Sequence, residues 1–475
     1  MLTKSKISWY INRLSLMDAK EVMHRVSNKF YVCQESIEKN KLLKSNHSAS
    51  LKNFFFQKQD LEAMRSFYNK NKDIQKQLFD NAQKLLEHKF SFFQLKDVFL
   101  GDTINWHKDY QNNIVAPIKH YSKINYKNFE ETGNVKYVWE LNRFSHLYTL
   151  SQAYCITLET KYAEEILAQI NSWIDTNPYL MGVNWSSALE LALRVMAWSW
   201  AIHSLTRAEY KIDQALFQKI CQSIYLQTRY VANHLSKGSS ANNHLVGELA
   251  GLCFIGYSLD FGHDSKRWAQ KGLTGLLKEL EKQVFEDGFT KEQTTSYHCF
   301  TFDLYLVSLL IAKANGKVIS QKHFDKIFKM SEALYMLSDE ALNISNIGDS
   351  DDAYAICLDN NPENCKINSN LVVSSCLFNR NDFDSKIKTF KDEKALWLLP
   401  GQYSVKENPN QKSVSLNSRY LKDSGYLILK DENVHGIIDV GNLGYLSIAA
   451  HGHADMLSLT LNYNNKPFLI DPGTY

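Results

Sequence analysis

The distribution of proline constrains this chain more than any other feature of its sequence. The 475 residues include 7 prolines, and none lies between Pro178 and Pro362. Residues 1–399 hold 3 prolines and 13 glycines, whereas residues 400–475 hold 4 prolines and 7 glycines. Because a proline inside a helix costs roughly 3 kcal/mol, this distribution favours a long helical body followed by a turn-rich β segment. It argues against a β-sandwich or propeller that occupies the whole chain.

The region 137–345 has the pattern of one helix after another. The segment 187–205 is apolar almost all round, and its only charges are Glu190 and Arg194, which predicts a buried helix with these two paired at i,i+4. Segments of similar length, separated by short polar connections, follow at 214–235, 267–284 and 300–314. A succession of helices suggests stacked helical hairpins. Residues 355–395 are expected to form a loop-rich connection.

After Pro400 the pattern changes to short strands. The runs 426–429 and 437–440 are strand-like, and apolar and polar residues alternate along 457–463, which is typical of a half-buried strand. The pair Asn464-Asn465 then predicts a hairpin turn. The chain stops directly after a further turn signal, so we expect a β domain that is incomplete.

Composition excludes several classes of function. The chain carries 54 Lys and Arg against 51 Asp and Glu, and a net charge of +3 gives no reason to expect a nucleic-acid partner. It contains no run of apolar residues long enough to predict a membrane-spanning helix. The N-terminus lacks the continuous apolar stretch of a signal peptide. The 8 cysteines form no CxxC pair, which favours buried free thiols, a reducing compartment and a cytoplasmic protein.

Two segments of the helical region contain side chains suited to chemistry. Asn243 and His244 lie just ahead of the apolar run 245–259, where a helix cap and a core histidine are the alternative interpretation. Tyr297 and His298 open another predicted helix, where simple packing is again the alternative.

A third segment, His451-Gly452-His453, places two imidazoles on the same side of an extended chain, with Asp455 close by. This arrangement is typical of metal ligands, or of a general base beside a ligand.

A fourth set combines aromatic and polar residues, namely Trp139, Arg143, Asn184 and Trp185. Tryptophan faces stack on sugar rings, and an arginine can bind a carboxylate through two parallel hydrogen bonds. The alternative is a buried tryptophan with a surface ion pair.

Taken together, these segments resemble the heparinase II/III family of polysaccharide lyases, which includes alginate lyase-like members. The resemblance rests on five motifs: KYVWELNR (136–143), GVNWSSALELALR (182–194), NNHLVGE (242–248), EQTTSYH (292–298) and, above all, HGHADMLSLTLNYNNKPFLIDPGTY (451–475). It implies an α+β multidomain fold, in which an α/α toroid of helical hairpins precedes an antiparallel β-sandwich. The implied boundaries are an N-terminal helical region at 1–130, the toroid at 131–395 and the start of a truncated sandwich at 396–475.

The resemblance also implies an enzyme, a lyase that cleaves a uronic-acid-containing polysaccharide by β-elimination. Removing the C5 proton beside a carboxylate creates a costly enolate-like anion, so the enzyme must neutralise that carboxylate and protonate the departing O4. By resemblance, Asn243 with His244 beside it would neutralise the carboxylate. Tyr297 would supply either the acid alone or both the acid and the base at the leaving oxygen. His451 would share in proton abstraction, which a neutral imidazole can do near neutral pH.

Further roles follow from the resemblance alone. The residues expected to line the substrate cleft are Trp139, Arg143, Asn184 and Trp185. His453 and Asp471 resemble two ligands of a zinc site that some relatives carry in the sandwich, with a third ligand expected beyond the end of this chain. The elimination itself would require no cofactor.

The partner implied by the resemblance is an acidic polysaccharide. The opening of the chain, WYINRLSLMDAKEVMHRVSNK, is similar to that of relatives encoded with bacterial capsule or surface-polysaccharide machinery, which suggests a self-made glycan. Because most lyases of this kind are exported, the periplasm or cell envelope is the alternative to the cytoplasm. The sequence carries no signal for oligomeric state.

Two other functions stay open at this point. A toroidal glycoside hydrolase would use paired carboxylates, and the candidates are Asp349, Asp351, Asp352 and Glu292. The cluster GDSDD, which contains three of them, is also typical of a solvated turn. A non-catalytic protein that binds or assembles glycans would keep the lyase shape without turnover.

Overall fold

Most of the chain that the computed structural model describes is helical. The described residues are 19–350, 354–361, 364–405, 417–446, 449, 451–453 and 455–471. The helices are Ala19–Lys44, Asp60–Lys70, Lys72–Leu86, Phe129–Thr132, Val135–Asn142, His146–Thr157, Thr160–Thr176, Ala188–Arg207, Gln214–Asn233, Asn243–Ser258, His263–Gln283, Thr295–Ala314, Gln321–Leu337, Lys366–Phe378 and Glu393–Leu398. Two-stranded ribbons interrupt them, formed by Ser50–Leu51 with Leu259–Asp260, Lys89–Phe92 with Leu95–Phe99, and Lys108–Asp109 with Ile114–Val115.

The long predicted helices are confirmed, with boundaries shifted by a few residues. The buried helix expected at 187–205 is Ala188–Arg207, and the helix expected at 300–314 already begins at Thr295. The prediction for 355–395 was wrong in part, because this region contains the helices Lys366–Phe378 and Glu393–Leu398. The Asn and Asp residues that surround these helices are turn signals, and they obscured the short apolar runs between them.

The C-terminal region forms a five-stranded antiparallel sheet in which each strand pairs with the next along the chain. Its strands are Arg419–Leu421, Tyr426–Lys430, Val434–Asp439, Leu459–Tyr463 and Lys466–Leu469. The hairpin predicted at Asn464-Asn465 is confirmed. Both residues have positive φ, +48° and +58°, as a two-residue type I′ turn requires. The proline distribution thus predicts the observed α+β order correctly.

One hydrophobic core continues through the helical region. It includes side chains from Leu42 to Leu399, so residues on both sides of position 130 pack together. Phe56 illustrates this, because its ring lies 5.7 Å from that of Trp200 and 5.1 Å from that of Trp397. Removing this apolar surface from water is the main stabilising contribution to the body.

Glu190 and Arg194 do not form the predicted i,i+4 ion pair in the described helix. Glu190 instead accepts two hydrogen bonds from Arg143 on another helix, at 2.5 and 3.0 Å. Arg194 is fully buried, and it donates to Gln227 at 2.7 Å and to two backbone carbonyl oxygens. The i,i+4 spacing only brings Glu190 and Arg194 within reach of each other. The two parallel hydrogen bonds from Arg143 bind the Glu190 carboxylate more strongly than an i,i+4 pair would.

A second, smaller core joins the sheet to the helical body. It contains Phe289, Leu337 and Ile347 from the body and Leu421, Tyr426 and Ile437 from the sheet. Beside it, the Asp287 carboxylate accepts hydrogen bonds from the backbone N–H and hydroxyl of Ser424 at 2.7 and 2.9 Å. Gln293 donates to the carbonyl oxygen of Ser424 at 2.7 Å. These contacts hold the C-terminal sheet against the segment that precedes the helix Thr295–Ala314 and against the helix Gln321–Leu337.

The strand Leu459–Tyr463 alternates as predicted, but its polar side faces the helical body. Thr460 and Asn462 are buried, whereas the two end residues of the strand are 41% and 53% exposed. Thr460 accepts a hydrogen bond from the Ser345 hydroxyl at 2.8 Å, and Asn462 donates to Asp339 at 2.9 Å. Polar partners on the body therefore decide which face of this strand is turned inward.

Glycine allows close packing of the helices Asn243–Ser258 and His263–Gln283. A Cβ atom added at Gly272 would collide with the backbone of Cys253, and one at Gly256 would collide with the backbone of Ala269. This close contact fixes the position of the helix whose first turn carries two of the candidate catalytic residues.

The cysteines match the sequence interpretation in part. All 8 are free, with Cys155, Cys221, Cys253 and Cys299 buried but Cys33 and Cys365 exposed. Among the described residues, no helix combines the length and the hydropathy needed to cross a bilayer.

Candidate active site

A cleft of about 200 Å³ lies where two helix starts of the body meet the segment around residue 451. It is lined by Phe93, Lys136, Trp139, Arg143, Leu189, Glu190, Asn243, His244, Ser296, Tyr297, Phe300, Asp349 and His451. The structure therefore brings together all four residues predicted to be catalytic and two of the four predicted to bind substrate.

Two capped helix starts place Asn243 and Tyr297. The side chain of Asn242 accepts a hydrogen bond from the backbone N–H of His244 at 3.2 Å. The hydroxyl of Thr294 likewise accepts one from the backbone N–H of Tyr297 at 3.0 Å. Each cap satisfies an N–H group that the helix itself leaves without a partner, and so determines where the helix begins. The side chains of both first turns line the cleft as a result.

His451 reaches the cleft from the C-terminal region. Its φ is +63°, a left-handed conformation that residues other than glycine rarely adopt. The backbone N–H of Asp349 donates to the His451 carbonyl oxygen at 3.0 Å. Gly348, with φ of +66°, permits this approach, because a Cβ atom there would lie 2.9 Å from the same oxygen. Strained backbone of this kind concentrates at functional sites.

Hydrogen bonds to both ring nitrogens indicate the tautomer of His451. Nδ1 lies 3.1 Å from Oδ2 of Asp349, and an ionised carboxylate can only accept, so Nδ1 carries the proton. Nε2 lies 3.2 Å from Nδ2 of Asn243, which can only donate. The tautomer is thus inferred from the partners, and it leaves the lone pair of a neutral imidazole on Nε2.

Glu292 holds Asn243 with both oxygens of its carboxylate. Oε1 accepts from the backbone N–H of Asn243 and Oε2 from its side-chain amide, each at 2.7 Å. Glu292 is 3% exposed, and burial raises its pKa, while the nearby His451 and the donors of Asn243 oppose part of that rise. The two bonds fix which way the Asn243 amide points, with its N–H groups toward the carboxylate and His451.

Tyr297 lies against the imidazole of His451. The two rings are stacked with their centroids 4.0 Å apart and an angle of 29° between their planes. Tyr297 belongs to the first turn of its helix, where the aligned peptide dipoles favour negative charge. A phenol and an imidazole lone pair are therefore adjacent in one cleft.

Arg143 and His244 also line the cleft. Arg143 binds Glu190 through two hydrogen bonds and Glu140 at 2.6 Å, so two carboxylates share its single positive charge. Burial lowers the pKa of His244, and the Glu190 carboxylate opposes part of that shift. Burial therefore favours the neutral form of the His244 imidazole.

Two predicted cleft residues lie elsewhere. Trp139 lines the cleft as predicted, but Asn184 and Trp185 are 1% and 2% exposed and belong to the interior. The Asn184 amide donates to a backbone carbonyl oxygen at 2.9 Å, and Trp185 packs edge-to-face on Tyr179 with centroids 5.1 Å apart. The prediction for these two residues is therefore corrected. The motif GVNW forms a buried turn, in which the side-chain amide of Asn184 donates to a backbone carbonyl oxygen.

His453, Asp455 and Asp471 form a group with the chemistry of metal ligands. Each offers one ligand atom, and these atoms all lie within 4.8 Å of one another. Burial, followed by the charge of Asp471, raises the pKa of Asp455. An imidazole and two carboxylates are a donor set that suits Zn²⁺. The two residues predicted as ligands thus lie together, and Asp455 adds a third.

Two carboxylates in the site had a different predicted role. Glu292 and Asp349 were candidates for the acid and base of a hydrolase, but their oxygens are used to hold Asn243, His451 and His453. The other two candidates, Asp351 and Asp352, lie outside the described residues. The position of Glu292 at the start of the motif EQTTSYH is a signal that could have indicated its role, whereas Asp349 lies outside all five motifs.

Comparison with protein families identifies both regions of the chain. The family described as Heparinase II/III N-terminus matches residues 33–365, and the family described as Heparinase II/III-like, C-terminal, matches residues 414–475. The first match alone covers more than half of the chain.

Two curated proteins are similar to parts of the chain. A heparin-sulfate lyase of Pedobacter heparinus is 28% identical over 220 residues, which are 45% of this chain and 32% of that protein. A heparin-sulfate lyase of Bacteroides stercoris is 23% identical over 212 residues, which are 40% of this chain and 32% of that protein. The aligned part of this chain spans about a third of the length of these relatives.

Solved structures of similar fold extend the comparison. A crystal structure of a heparan sulfate lyase mutant from Pedobacter heparinus matches with a TM-score of 0.51 and 20% identity, covering 84% of this chain and 56% of that one. A crystal structure of heparinase III matches with a TM-score of 0.59 and 15% identity, covering 84% and 58%. These likenesses confirm the predicted fold class, a helical toroid followed by an antiparallel β-sandwich.

Proposed function

The chain belongs to the heparinase II/III family, and on that premise we propose that it is a polysaccharide lyase that cleaves an acidic, uronic-acid-containing glycan by β-elimination. The observation that carries this proposal is the cluster in the cleft. The imidazole of His451 contacts both the ring of Tyr297 and the side-chain amide of Asn243, and all three residues line the cleft. Proton abstraction, proton donation and anion stabilisation are the three operations that this elimination requires.

In this mechanism Asn243 would bind the uronate carboxylate through the amide N–H that otherwise donates to Nε2 of His451, which would also free the Nε2 lone pair for the C5 proton. An amide N–H donates to the negative charge that grows on the carboxylate as the C5 proton leaves, and it does so without carrying a charge of its own. Glu292 would hold the amide in this orientation, since both of its oxygens bind Asn243. The neutral imidazole of His244, beside Asn243 in the same lining, is a further donor for the same group.

His451 and Tyr297 would move the protons. Nε2 of His451 takes the C5 proton, the C5 electron pair forms the C4–C5 double bond, and the C4–O4 bond breaks. The Tyr297 hydroxyl gives its proton to O4; afterwards His451 releases the C5 proton to solvent and Tyr297 is reprotonated from solvent. General acid and base catalysis of this kind contributes about 10²–10⁴-fold each.

Zinc would be held by His453, Asp455 and Asp471, and when bound it would supply a rigid cross-link beside the cleft. His453 contacts the same Asp349 carboxylate that orients His451, at 3.0 and 3.1 Å respectively. Asp349 thus connects the candidate metal ligands with the proposed base, and the proton transfers themselves use only the groups of the cleft.

We propose a glycosaminoglycan such as heparan sulfate as the first substrate to test, because the relatives named above are heparin-sulfate lyases. With the purified protein we expect the ultraviolet absorbance of a C4–C5 unsaturated uronate to rise with time. Mass spectrometry should show products that have not gained water.

A panel of other acidic glycans serves as the comparison. Saturated products that contain the added water would contradict the elimination and support the hydrolase. Glycan binding without any cleavage across the whole panel would support the non-catalytic alternative.

The cytoplasm is the proposed location, with the periplasm or cell envelope as the alternative. The proposal is supported by the 8 free cysteines, which suit a reducing compartment. Fractionation of cells that express the full-length protein would check it, and recovery of the protein with periplasmic markers would contradict it.

Replacing Asp349 with asparagine tests the orientation of His451. An asparagine amide can donate to Nδ1, which would move the ring proton to Nε2 and remove the base. We expect kcat to fall about 10- to 100-fold with little change in KM, as for other partners that orient a histidine. Nitrogen NMR of the labelled imidazole should show the change of tautomer.

The matched control is Asp80→Asn, because Asp80 forms an exposed i,i+4 ion pair with Lys76. That variant should keep full activity. If Asp349→Asn lost activity while His451 kept its proton on Nδ1, the role of Asp349 would be structural rather than orienting.

A further inference from the structure

A second pocket, here called the hairpin pocket, adjoins the catalytic cleft. Its volume is about 490 Å³, and the β-hairpin at 89–99 forms one side of it. Phe93, at the tip of that hairpin, lines both the hairpin pocket and the cleft. A glycan bound in the cleft can therefore continue past Phe93 into the hairpin pocket.

Four lysines from three separate elements line the hairpin pocket. Lys84 belongs to the helix Lys72–Leu86, Lys89 and Lys96 belong to the hairpin, and Lys366 is the first residue of the helix Lys366–Phe378. This is a local concentration of positive charge in a chain whose net charge is only +3. Such a patch favours anionic ligands.

The carboxylates in the described lining of this pocket are bound by cations. Asp97 accepts a hydrogen bond from Lys84 at 2.7 Å, and Glu140 accepts one from Arg143 at 2.6 Å. Lys89 also binds Glu87 at 2.7 Å, and Arg143 is shared between Glu140 and Glu190, so the positive excess is that of four lysines against two carboxylates in the described lining.

Aromatic rings accompany the lysines. The ammonium group of Lys366 lies 4.0 Å from the centroid of the Tyr354 ring, and Tyr354 is itself exposed. Together with Phe93, this ring offers a face on which a sugar can stack while an ammonium group binds its charged substituent.

The tip of the hairpin is held in place rather than loose. Phe93 has φ of +53°, which is unfavourable for a bulky side chain, and its ring packs edge-to-face on Tyr137 with centroids 5.2 Å apart. The Tyr137 hydroxyl also donates to the side chain of Gln94. Tyr137 lies on the helix Val135–Asn142, which also carries Trp139 of the cleft. Phe93 thus forms a wall between the cleft and the hairpin pocket, and its packing on Tyr137 holds this wall in one position.

Another pocket that adjoins the cleft carries fewer lysines than the hairpin pocket. It has a volume of about 570 Å³ and shares Trp139 and His244 with the cleft. Its described lining consists largely of hydroxyl and aromatic side chains, with Lys29 as its lysine and the buried Glu248. Positive charge is therefore concentrated on the side of the hairpin.

We propose that the hairpin pocket is a subsite for an anionic sugar residue, one that carries a carboxylate or a sulfate, next to the sugar held in the cleft. The proposal rests on the proposed lyase function and deepens it, because it assigns the charged part of the substrate to one side of the cleft. Lys96 is exposed and Lys366 is half-buried, and lysines that solvent can reach bind such groups mainly through charge, so the contribution decreases as salt increases.

The test replaces both Lys96 and Lys366 with glutamine. We expect KM for a long heparan sulfate chain to rise about fivefold to tenfold with kcat within twofold of the original, because two charge contacts at solvent-accessible positions are lost. The dependence of KM on salt should become weaker. Affinity for sulfated and for unsulfated uronate-containing hexasaccharides, measured by calorimetry on a Tyr297→Phe background, distinguishes sulfate from carboxylate as the bound group.

The control is Lys58→Gln with Lys317→Gln, two exposed lysines that line neither the cleft nor the hairpin pocket. Unchanged KM and unchanged hexasaccharide affinity in the Lys96/Lys366 variant would overturn the subsite while leaving the lyase function intact. If no glycan were cleaved but the variant still lost affinity for the acidic hexasaccharides, the lyase function would fail and the subsite would stand. An equal loss of affinity in the control pair would also overturn the subsite.

Discussion

Replacing Tyr297 with phenylalanine is expected to lower kcat by about 10³-fold, the middle of the range for a lost general acid. The phenyl ring keeps the stacking contact with His451 at 4.0 Å, so the cleft should retain its shape. Only the hydroxyl that protonates O4 is removed, and the leaving oxygen would then depart as a costly alkoxide. Steady-state kinetics on heparan sulfate, with substrate affinity measured separately by calorimetry, should show lost turnover and preserved binding.

Tyr420→Phe is the matched control, because Tyr420 is exposed on the sheet and the same hydroxyl is removed. That variant should be fully active. Activity of Tyr297→Phe within a few-fold of the original would show that another group donates the proton, and the mechanism above would then be wrong.

Replacing His451 with alanine is expected to cost about 10³- to 10⁴-fold in kcat, because the base at C5 is removed. The loss should exceed that of Asp349→Asn, in which the imidazole is still present. Added imidazole should restore part of the activity if the small molecule can occupy the vacated space beside Asn243 and Tyr297. The measurement is kcat with and without imidazole, together with the thermal unfolding temperature.

Two controls separate this effect from a structural one. His263→Ala removes an exposed histidine at the start of the helix His263–Gln283 and should leave activity unchanged. Because His451 lies two residues from His453, the zinc content of His451→Ala must also be compared with that of the original protein. Full activity of His451→Ala with normal folding would exclude this residue as the base.

The candidate catalytic residues could be predicted from the sequence because their motifs are local. Asn243 and Tyr297 follow residues that cap helices, and a cap is a property of a few consecutive residues. Their partners could not be derived in this way. Glu292 binds Asn243 from 49 positions away, and Asp349 binds His451 from 102 positions away. No periodicity connects such residues.

The errors have the same origin. Glu190 had two arginines available, and the spacing in its own helix favoured Arg194, but the packing of another helix supplied Arg143 with two parallel hydrogen bonds. Asn184 and Trp185 have side chains suited to sugars, yet the turn that carries them lies in the interior. Residue type indicates what a side chain can bind, whereas packing decides whether solvent or substrate can reach it.

The sequence by itself determined the order of a helical body and a β region, because proline and glycine act on the backbone of their own residue through steric exclusion and lost hydrogen bonds. It also determined the periodicity of the strand Leu459–Tyr463 and the turn that follows. Only the tertiary structure decided that the polar face of this strand is buried and that Asn243 and His451, 208 positions apart, share a hydrogen bond. Those outcomes depend on which surfaces meet when the sheet packs on the helical body. The free energy of such contacts depends on residues that are far apart in the sequence, so no short segment of the chain can predict it.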